Sequence, residues 1–199
     1  MEFMKNIITD VEENKEPQGL EKIKKQINDV ISLWIMGGTD PSDGTKSEEI
    51  IMDKYNISQE GLDNFSETVA GIESNYGKFL TNPDSTAKGI YHFTDESFDT
   101  AVQRAINLYT EEGESIPNWL KDSKKKGASI MNLTDDQQKD LLFANLAKHP
   151  EKTMDLLKQY DEGNKFAGFD LFAKYHHTEG YDSPTKEVAY SFFGVSPEE

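Results

Sequence analysis

The chain has 199 residues, 21 Lys+Arg against 37 Asp+Glu, a formal net charge of −16 and no cysteine. The absence of cysteine excludes disulfides, thiolate metal sites and cysteine nucleophiles, and the negative charge disfavours nucleic acid and anionic lipid as partners because it repels phosphate. No apolar run approaches the roughly 20 residues of a membrane-spanning helix, and residues 1–14 are acidic without an apolar core, so we predict neither a membrane segment nor a signal peptide.

The first 46 residues divide into three predicted segments. Residues 1–19 are polar and acidic and are predicted to form a mobile arm. Residues 20–36 carry apolar side chains at helical spacing, which predicts either an accessory helix packed on the main domain or a docking helix for another protein. Residues 37–46 are rich in glycine and contain a proline, a composition typical of a linker. Residues 47–199 are then predicted to form one domain.

Helical signals dominate this predicted domain. Five capping or first-turn residues mark helix starts: Ser47, Ser58, Thr94, Thr134 and Pro150. The first helix is predicted to run to Tyr55 and the second to about Tyr76, and two later helices are predicted at 171–177 and 185–193. Residues 77–93 contain a proline, two glycines and a β-prone triplet, which predicts a loop with one small β-hairpin. The expected fold class is therefore mainly α, with a minor β-hairpin after the second helix.

The second predicted helix carries a carboxylate at the edge of its apolar face. That face consists of residues spaced by three and four: Leu62, Phe65, Val69, Ile72 and Tyr76. Glu73 lies only about 20° around the helix from Leu62, so its side chain would be partly desolvated. Desolvation gives a carboxylic acid the raised pKa that a general acid needs near neutral pH. The alternative is a glutamate near a frayed helix end that points into water, and periodicity alone favours that alternative.

Two short motifs follow one another at this glutamate, a Glu-Ser pair at a helix end and then a Ser-x-Ala-x-Gly pattern. Their positions are Glu73, Ser74, Ser85, Ala87 and Gly89. Together they resemble the lytic transglycosylase family with the soluble-transglycosylase (goose-type-lysozyme-like) fold, in its phage-type members. His92 stands where that family usually has glutamine, and residues 170–180 look similar to its late helix with aromatic residues and histidine. The resemblance covers roughly residues 59–194.

The resemblance implies that residues 47–199 form a lysozyme-like catalytic domain. Its substrate would be peptidoglycan glycan strands, cleaved at the β-1,4 bond between N-acetylmuramic acid and N-acetylglucosamine. Glu73 would protonate the leaving oxygen and then, as a base, activate the muramyl C6 hydroxyl, so that one carboxylate yields a 1,6-anhydro product. The substrate-binding candidates that the match implies are Ser74, Ser85, Ala87, Gly89, Tyr91, His92 and Tyr175. No cofactor is implied, and no metal is expected because the adjacent pair His176-His177 would point about 100° apart on a helix.

Several of these side chains have competing interpretations. Ser74 is expected to stabilise the local structure rather than act as a nucleophile, since no base partner is evident. Tyr91 could face the sugar or the core, and Tyr175 could either hydrogen-bond Glu73 or the sugar, or pack as a core aromatic. In a strand of period two, His92 would point away from the packing face of Tyr91 and Phe93, and the resemblance implies that this opposite face looks into the cleft near Glu73. A protonated His92 there would favour ionised Glu73, so activity would fall as the pH drops.

Other functions remain open at this point. A muramidase hydrolase of the same fold would need a second carboxylate, and the nearest in sequence are Asp84, Asp95 and Glu96. A catalytically weak or inactive lysozyme-like module of a virion or secretion apparatus is favoured by His92 and by the net charge of −16. A hydrolase of chitin or another N-acetylhexosamine polymer is a third alternative. Without a signal peptide, a virion or another protein would deliver the chain to the cell wall, and residues 20–36 would dock to that virion or secretion-apparatus protein.

Overall fold

The computed structural model describes residues 44–177 and 185–196, so the predicted acidic arm, the predicted docking helix and most of the predicted linker lie outside the described residues. Within the described ranges the chain forms eight α-helices: α1 (Ser47–Tyr55), α2 (Gln59–Ser74), α3 (Asp95–Glu111), α4 (Asn118–Ser123), α5 (Asp135–Leu146), α6 (Pro150–Asp161), α7 (Lys165–Leu171) and α8 (Thr185–Phe193). A 3₁₀ turn at Ile130–Asn132 and a single π-helical turn at Phe172–His176 are also helical. The expected mainly α class is confirmed. None of the described helices has the length and apolar character needed to cross a membrane.

Most predicted helix starts are confirmed by their caps. The Ser58 hydroxyl accepts a hydrogen bond from the Gly61 N–H at 3.0 Å, and the Thr94 hydroxyl accepts one from the Ser97 N–H at 3.1 Å. Thr134 precedes α5 in a complete capping box, and α6 begins at the predicted proline. These starts are encoded within a few residues, which is why the sequence predicts them.

The predicted cap of α1 is wrong. Ser47 is the first helical residue rather than the cap, and the residue before it, Lys46, makes no capping bond with its side chain. The buried Asp140 of α5 supplies the acceptor instead: its Oδ1 receives the N–H of Lys46 at 2.9 Å and of Ser47 at 2.8 Å, and the Tyr109 hydroxyl at 2.8 Å. The start of α1 therefore depends on a carboxylate from a distant helix.

Helix α2 packs against α6 and α8, while α3 packs against α5 and α6 against α7. Four of the five residues of the predicted apolar face of α2 are buried: Leu62, Phe65, Val69 and Ile72. The fifth, Tyr76, is 59% exposed, because α2 ends at Ser74 and the chain then turns through the left-handed region at Asn75 and Tyr76. The buried face fixes α2 in the core and leaves its last turn at the edge of the domain.

The predicted β-hairpin is not formed, and the described residues contain no strand. Between α2 and α3 the chain makes two isolated antiparallel bridges, Thr81 to Lys88 and Lys88 to Phe93. The extended stretch is broken by left-handed residues at Gly89 (φ 81°) and His92 (φ 47°), since a ladder needs several consecutive extended residues. This segment is therefore a compact loop. Its turns, and not the alternation of side chains along a β-strand, set the directions of its side chains.

We expect a chain lacking residues 1–43 to remain folded. Residues 45–199 belong to one compact unit, and this truncation keeps Lys46 and Ser47, whose N–H groups bond to Asp140. The near-UV circular dichroism and urea midpoint of the truncated chain should match those of the full chain. A matched truncation of residues 1–47 removes both donors and should be less stable. An insoluble or molten 44–199 fragment would show that residues 20–36 supply part of the core.

Candidate active site

Glu73 occupies the last turn of α2, and its side chain is 8% exposed. The partly desolvated position is therefore the one that the fold adopts, although helical periodicity alone favoured a side chain in water. The Glu73 side chain is buried because two segments cover it. The loop after α2 brings His92 to the carboxylate, and the π-helical turn brings His176. A nearly buried carboxylate between two imidazoles is the central feature of this site.

The turn after Glu73 is organised by Ser74. Its buried hydroxyl donates to the Ala70 carbonyl at 3.1 Å and accepts the Gly77 N–H at 2.8 Å, and its carbonyl accepts the Phe79 N–H at 2.9 Å. These bonds hold the left-handed residues that reverse the chain direction. Ser74 thus stabilises the local structure, as its interpretation from sequence favoured, and its buried hydroxyl does not face an open substrate site.

His92 contacts Glu73, with its Nδ1 3.3 Å from Glu73 Oε2. Its other ring nitrogen, Nε2, lies 2.8 Å from the Phe79 carbonyl oxygen. A carbonyl only accepts, so Nε2 carries a hydrogen; Nδ1 then donates to the Glu73 carboxylate when the ring is protonated and offers it a lone pair when the ring is neutral. The predicted nearness of His92 to Glu73 is confirmed. The predicted cause is wrong, since a left-handed turn at His92 (φ 47°), not strand alternation, aims the ring.

His176 approaches Glu73 from the opposite side, with its Nε2 3.8 Å from Glu73 Oε1. The ring is 6% exposed and packs edge-on against Phe93 and at a tilt against Phe172, with ring centroids 6.0 and 5.8 Å apart. Its Nδ1 is buried and has no hydrogen-bond partner among the described residues. Sequence reasoning missed this neighbour, because the π-helical turn that positions it inserts a residue that no periodicity reveals.

The two histidines have opposite pKa shifts. Burial lowers the pKa of His92, but the bonds to Glu73 and to the Phe79 carbonyl outweigh it, so the net pKa is raised above the ordinary 6.5. Burial dominates at His176 and lowers its pKa, with only partial compensation by the charge of Glu73. One carboxylate oxygen therefore faces an imidazole that protonates readily, and the other faces one that stays neutral.

The Ser-x-Ala-x-Gly residues shape the loop. The Ser85 hydroxyl accepts the Ala87 N–H at 3.1 Å, and Ala87 is buried. A Cβ on Gly89 would lie 2.5 Å from Gln138 Oε1, and that same oxygen accepts the Ile90 N–H at 2.8 Å. Because these groups are satisfied within the protein, the structure gives them a positioning role in the loop and shows no open surface at Ala87 or Gly89.

Tyr91 and Tyr175 do not reach Glu73. Tyr91 is buried in the core, and burial raises the pKa of its hydroxyl far above the usual value, so the core alternative is the one adopted. Tyr175 is half-buried and lines a cavity that His176 also lines. Within the described residues, Glu73 is paired with His92 and His176 rather than with either tyrosine.

Three exposed aromatic side chains are grouped near the end of α2. Tyr76 and Phe79 are 59% and 64% exposed, and Phe192 of α8 is 39% exposed. The rings of Tyr76 and Phe192 lie 6.3 Å apart. Tyr76 was predicted to face the core, and nothing in the sequence periodicity singles out Phe79. Exposed aromatic faces suit a flat, partly apolar ligand such as a sugar ring. The rings of Tyr76 and Phe192 lie against Gly71, which is about 200° around α2 from Glu73.

The other carboxylates considered for a hydrolase are on the surface. Asp95 pairs with Lys88 at 3.3 Å, Asp84 is exposed, and Glu96 lines the cavity that His176 also lines. No group of three or more metal-ligating side chains occurs in the part of the chain that the structure describes.

The chain matches no family model, no curated protein and no solved structure. Chemically, the arrangement offers one shielded carboxyl group able to exchange a proton.

Proposed function

We propose that this chain is a peptidoglycan lytic transglycosylase with a lysozyme-like fold, cleaving the bond between N-acetylmuramic acid and N-acetylglucosamine. The observation that carries the proposal is Glu73, a nearly buried carboxylate at a helix end, placed between His92 and His176 and followed by the Ser-x-Ala-x-Gly loop. A single shielded carboxyl group is what this reaction needs, and no second carboxylate contacts Glu73 among the described residues.

The proton would move through Glu73 in two steps. The protonated carboxyl group donates to the glycosidic oxygen as the C1–O bond breaks, leaving positive charge on the muramyl ring. The resulting carboxylate then takes the proton of the C6 hydroxyl while that oxygen bonds to C1, which closes the 1,6-anhydro ring and restores the acid. An internal nucleophile is held close to C1, so no activated water is required.

The surroundings of Glu73 support this use. His92 Nδ1 lies 3.3 Å from Glu73 Oε2, close enough to exchange a proton with the carboxyl group. His176, whose pKa is lowered by burial, adds no positive charge that would favour the ionised form. The exposed rings of Tyr76 and Phe79, which follow Glu73 closely in the chain, offer faces on which sugar rings can stack.

The direct test is digestion of purified peptidoglycan with the full chain, followed by mass spectrometry of the soluble products. A transglycosylase releases muropeptides that end in 1,6-anhydro-N-acetylmuramic acid. A muramidase hydrolase releases the same muropeptides heavier by one water, and a chitinase-like enzyme releases nothing from peptidoglycan but cleaves chitin oligomers. Either of the last two results would replace the proposed reaction.

A lysozyme-like binding or structural module is the second candidate. It is favoured by the net charge of −16, which is unfavourable on an anionic wall, and by the low exposure of Glu73. Such a module would retain glycan strands in a pull-down assay without releasing soluble products. In either case we propose that a virion or another protein delivers the chain to the cell wall.

Replacing His92 with glutamine is expected to remove a loss of activity at low pH. As the pH falls through the raised pKa of His92, the ring gains a proton and favours ionised Glu73, which cannot protonate the leaving oxygen. Wild-type activity should therefore decline on the acid side, beginning above the ordinary histidine value of 6.5. Glutamine does not titrate, so its profile should be flatter there. Profiles of an active His92→Gln variant and wild type that overlay would contradict this.

A further inference from the structure

A cavity of about 470 Å³ is lined in part by His176, whose Nε2 lies 3.8 Å from Glu73 Oε1, and is not lined by Glu73 itself. It is bounded by the start of α3, the junction between α5 and α6, and the π-helical turn. Its charged or titratable lining consists of Glu96, Arg104, Lys148, His149, Lys174 and His176. Three of these side chains are cations and one is an anion. Lys174 is paired with Asp170, which leaves Arg104 and Lys148 as the cations of the lining without an ion pair among the described residues.

Arg104 is the most unusual member of this lining. It is the only arginine in the chain, and it is half-buried. Its Nη1 donates to the carbonyl and to the side-chain oxygen of Asn145, which leaves Nε and Nη2 to donate elsewhere. Among the described residues no carboxylate lies within ion-pair distance of it, although the chain has 37 acidic residues.

A half-buried guanidinium without a counter-ion is costly. Partial burial removes some of its hydration and lowers the pKa of Arg104 below its ordinary value. A glutamine could also bond to Asn145, so that hydrogen bond alone does not require a guanidinium. An anion supplied by a ligand would provide the missing partner.

The neighbouring groups favour a small carboxylate. Lys148 lines the same cavity and also has no ion-pair partner among the residues described. The planar fork of an arginine matches the two oxygens of a carboxylate. His176 forms a wall shared with Glu73, so a ligand bound at the catalytic carboxylate could extend a charged branch into this cavity.

We propose that the Arg104 cavity binds a free carboxylate of the peptidoglycan stem peptide while the glycan lies at Glu73. This inference rests on the proposed function, since the glycan strand is what carries the peptide branches. It makes the enzyme selective for glycan strands whose peptides are present and end in a free acid. Strands stripped of peptide would lose this contact and bind more weakly.

The test is calorimetric titration of the full chain with a soluble stem tetrapeptide and with the same peptide amidated at its carboxyl groups. The free acid should bind, and amidation or Arg104→Gln should weaken binding by about tenfold or more, the effect of losing hydrogen bonds to a charged group. Lys126→Gln removes the same charge from an exposed loop and should leave binding within about twofold of wild type. Near-UV circular dichroism verifies that each variant is folded.

Several outcomes would overturn the inference: equal binding of acid and amide, an Arg104→Gln variant that binds like wild type, or inorganic phosphate binding as well as the peptide. Peptide binding without any glycan cleavage by wild type would leave the cavity assignment standing and refute the proposed function. The opposite result is also distinguishable. If the ratio of the cleavage rates of peptide-bearing and peptide-free strands is the same for wild type and Arg104→Gln, the proposed function stands and the cavity assignment is refuted.

Discussion

The Glu73→Gln variant is expected to lose peptidoglycan cleavage by a factor on the order of 10² to 10⁴, about 3 to 5 kcal/mol of transition-state stabilisation. Glutamine is nearly isosteric, but its amide cannot transfer the proton that the leaving oxygen needs. The side chain sits in a closed environment between His92 and His176, so water has little access to take over the role. The release of soluble muropeptides over time measures the loss.

A matched control is available on the same helix. Glu67 of α2 is exposed, so Glu67→Gln makes the same chemical change and alters the net charge equally. Its activity should stay within about twofold of wild type, because solvent screens an exposed charge. Near-UV circular dichroism of both variants should match wild type. Activity of Glu73→Gln within about threefold of wild type would end its assignment as the acid.

Replacing Asp140 with alanine is expected to give a large loss of stability, about 3 to 4 kcal/mol. This buried carboxylate accepts the N–H groups of Lys46 and Ser47 and the hydroxyl of Tyr109. Alanine leaves those donors without an acceptor and opens a space between α1, α3 and α5. Urea unfolding of the two chains at one pH measures the difference in free energy of unfolding. A loss below about 1 kcal/mol would show that water satisfies the donors.

The Asp140→Asn variant separates the hydrogen bonds from the charge. Its amide oxygen can still accept these donors, whereas burial raises the pKa of the natural carboxyl from 3.8 to about 6 despite the bonds from Ser47, Tyr109 and Lys46. Because the pKa of this acid is higher in the folded chain than the value of 3.8 in the unfolded chain, protonation favours the folded state. Its contribution to the free energy of unfolding is fully present below pH 3.8 and is lost as the pH rises to about 6.

Relative to wild type, Asp140→Asn should therefore become more stable as the pH is raised. The expected change between about pH 4 and about pH 8 is roughly 2 to 3 kcal/mol, since one pKa unit is about 1.4 kcal/mol. Urea unfolding of both chains at the two pH values gives the comparison directly. If the difference in free energy of unfolding between wild type and Asp140→Asn is the same at both pH values, the pKa of Asp140 is not raised by burial.

Local signals predicted most of the helices and one half of the site. A hydroxyl such as that of Ser58 or Thr94 bonds to an N–H three residues later, so the start of a helix is encoded in one short segment. The apolar spacing of α2 likewise placed Glu73 at the edge of a buried face. Helix geometry alone yields the helix start and the position of Glu73 at the edge of the face. It did not yield the burial of Glu73, because periodicity favoured a side chain in water and packing buries it to 8% exposure.

The same local logic failed where the backbone left regular geometry. Tyr76 fits the apolar spacing of α2, but the helix ends two residues earlier in left-handed residues and exposes the ring. His92 was placed near Glu73 by assuming a strand, and its left-handed backbone reaches the same place by a turn. A period-based prediction holds only as far as the regular element that it assumes.

The composition and spacing of the chain were sufficient to predict a mainly helical domain with a carboxylate at the end of its second helix. Packing alone decided what surrounds that carboxylate, because His176 reaches it through a π-helical turn about 100 residues along the chain. Packing also set the opposite pKa shifts of the two histidines and left the guanidinium of Arg104 without an ion-pair partner among the described residues. Burial and charge contacts are sums over side chains from distant segments, so they exist only once those segments are assembled.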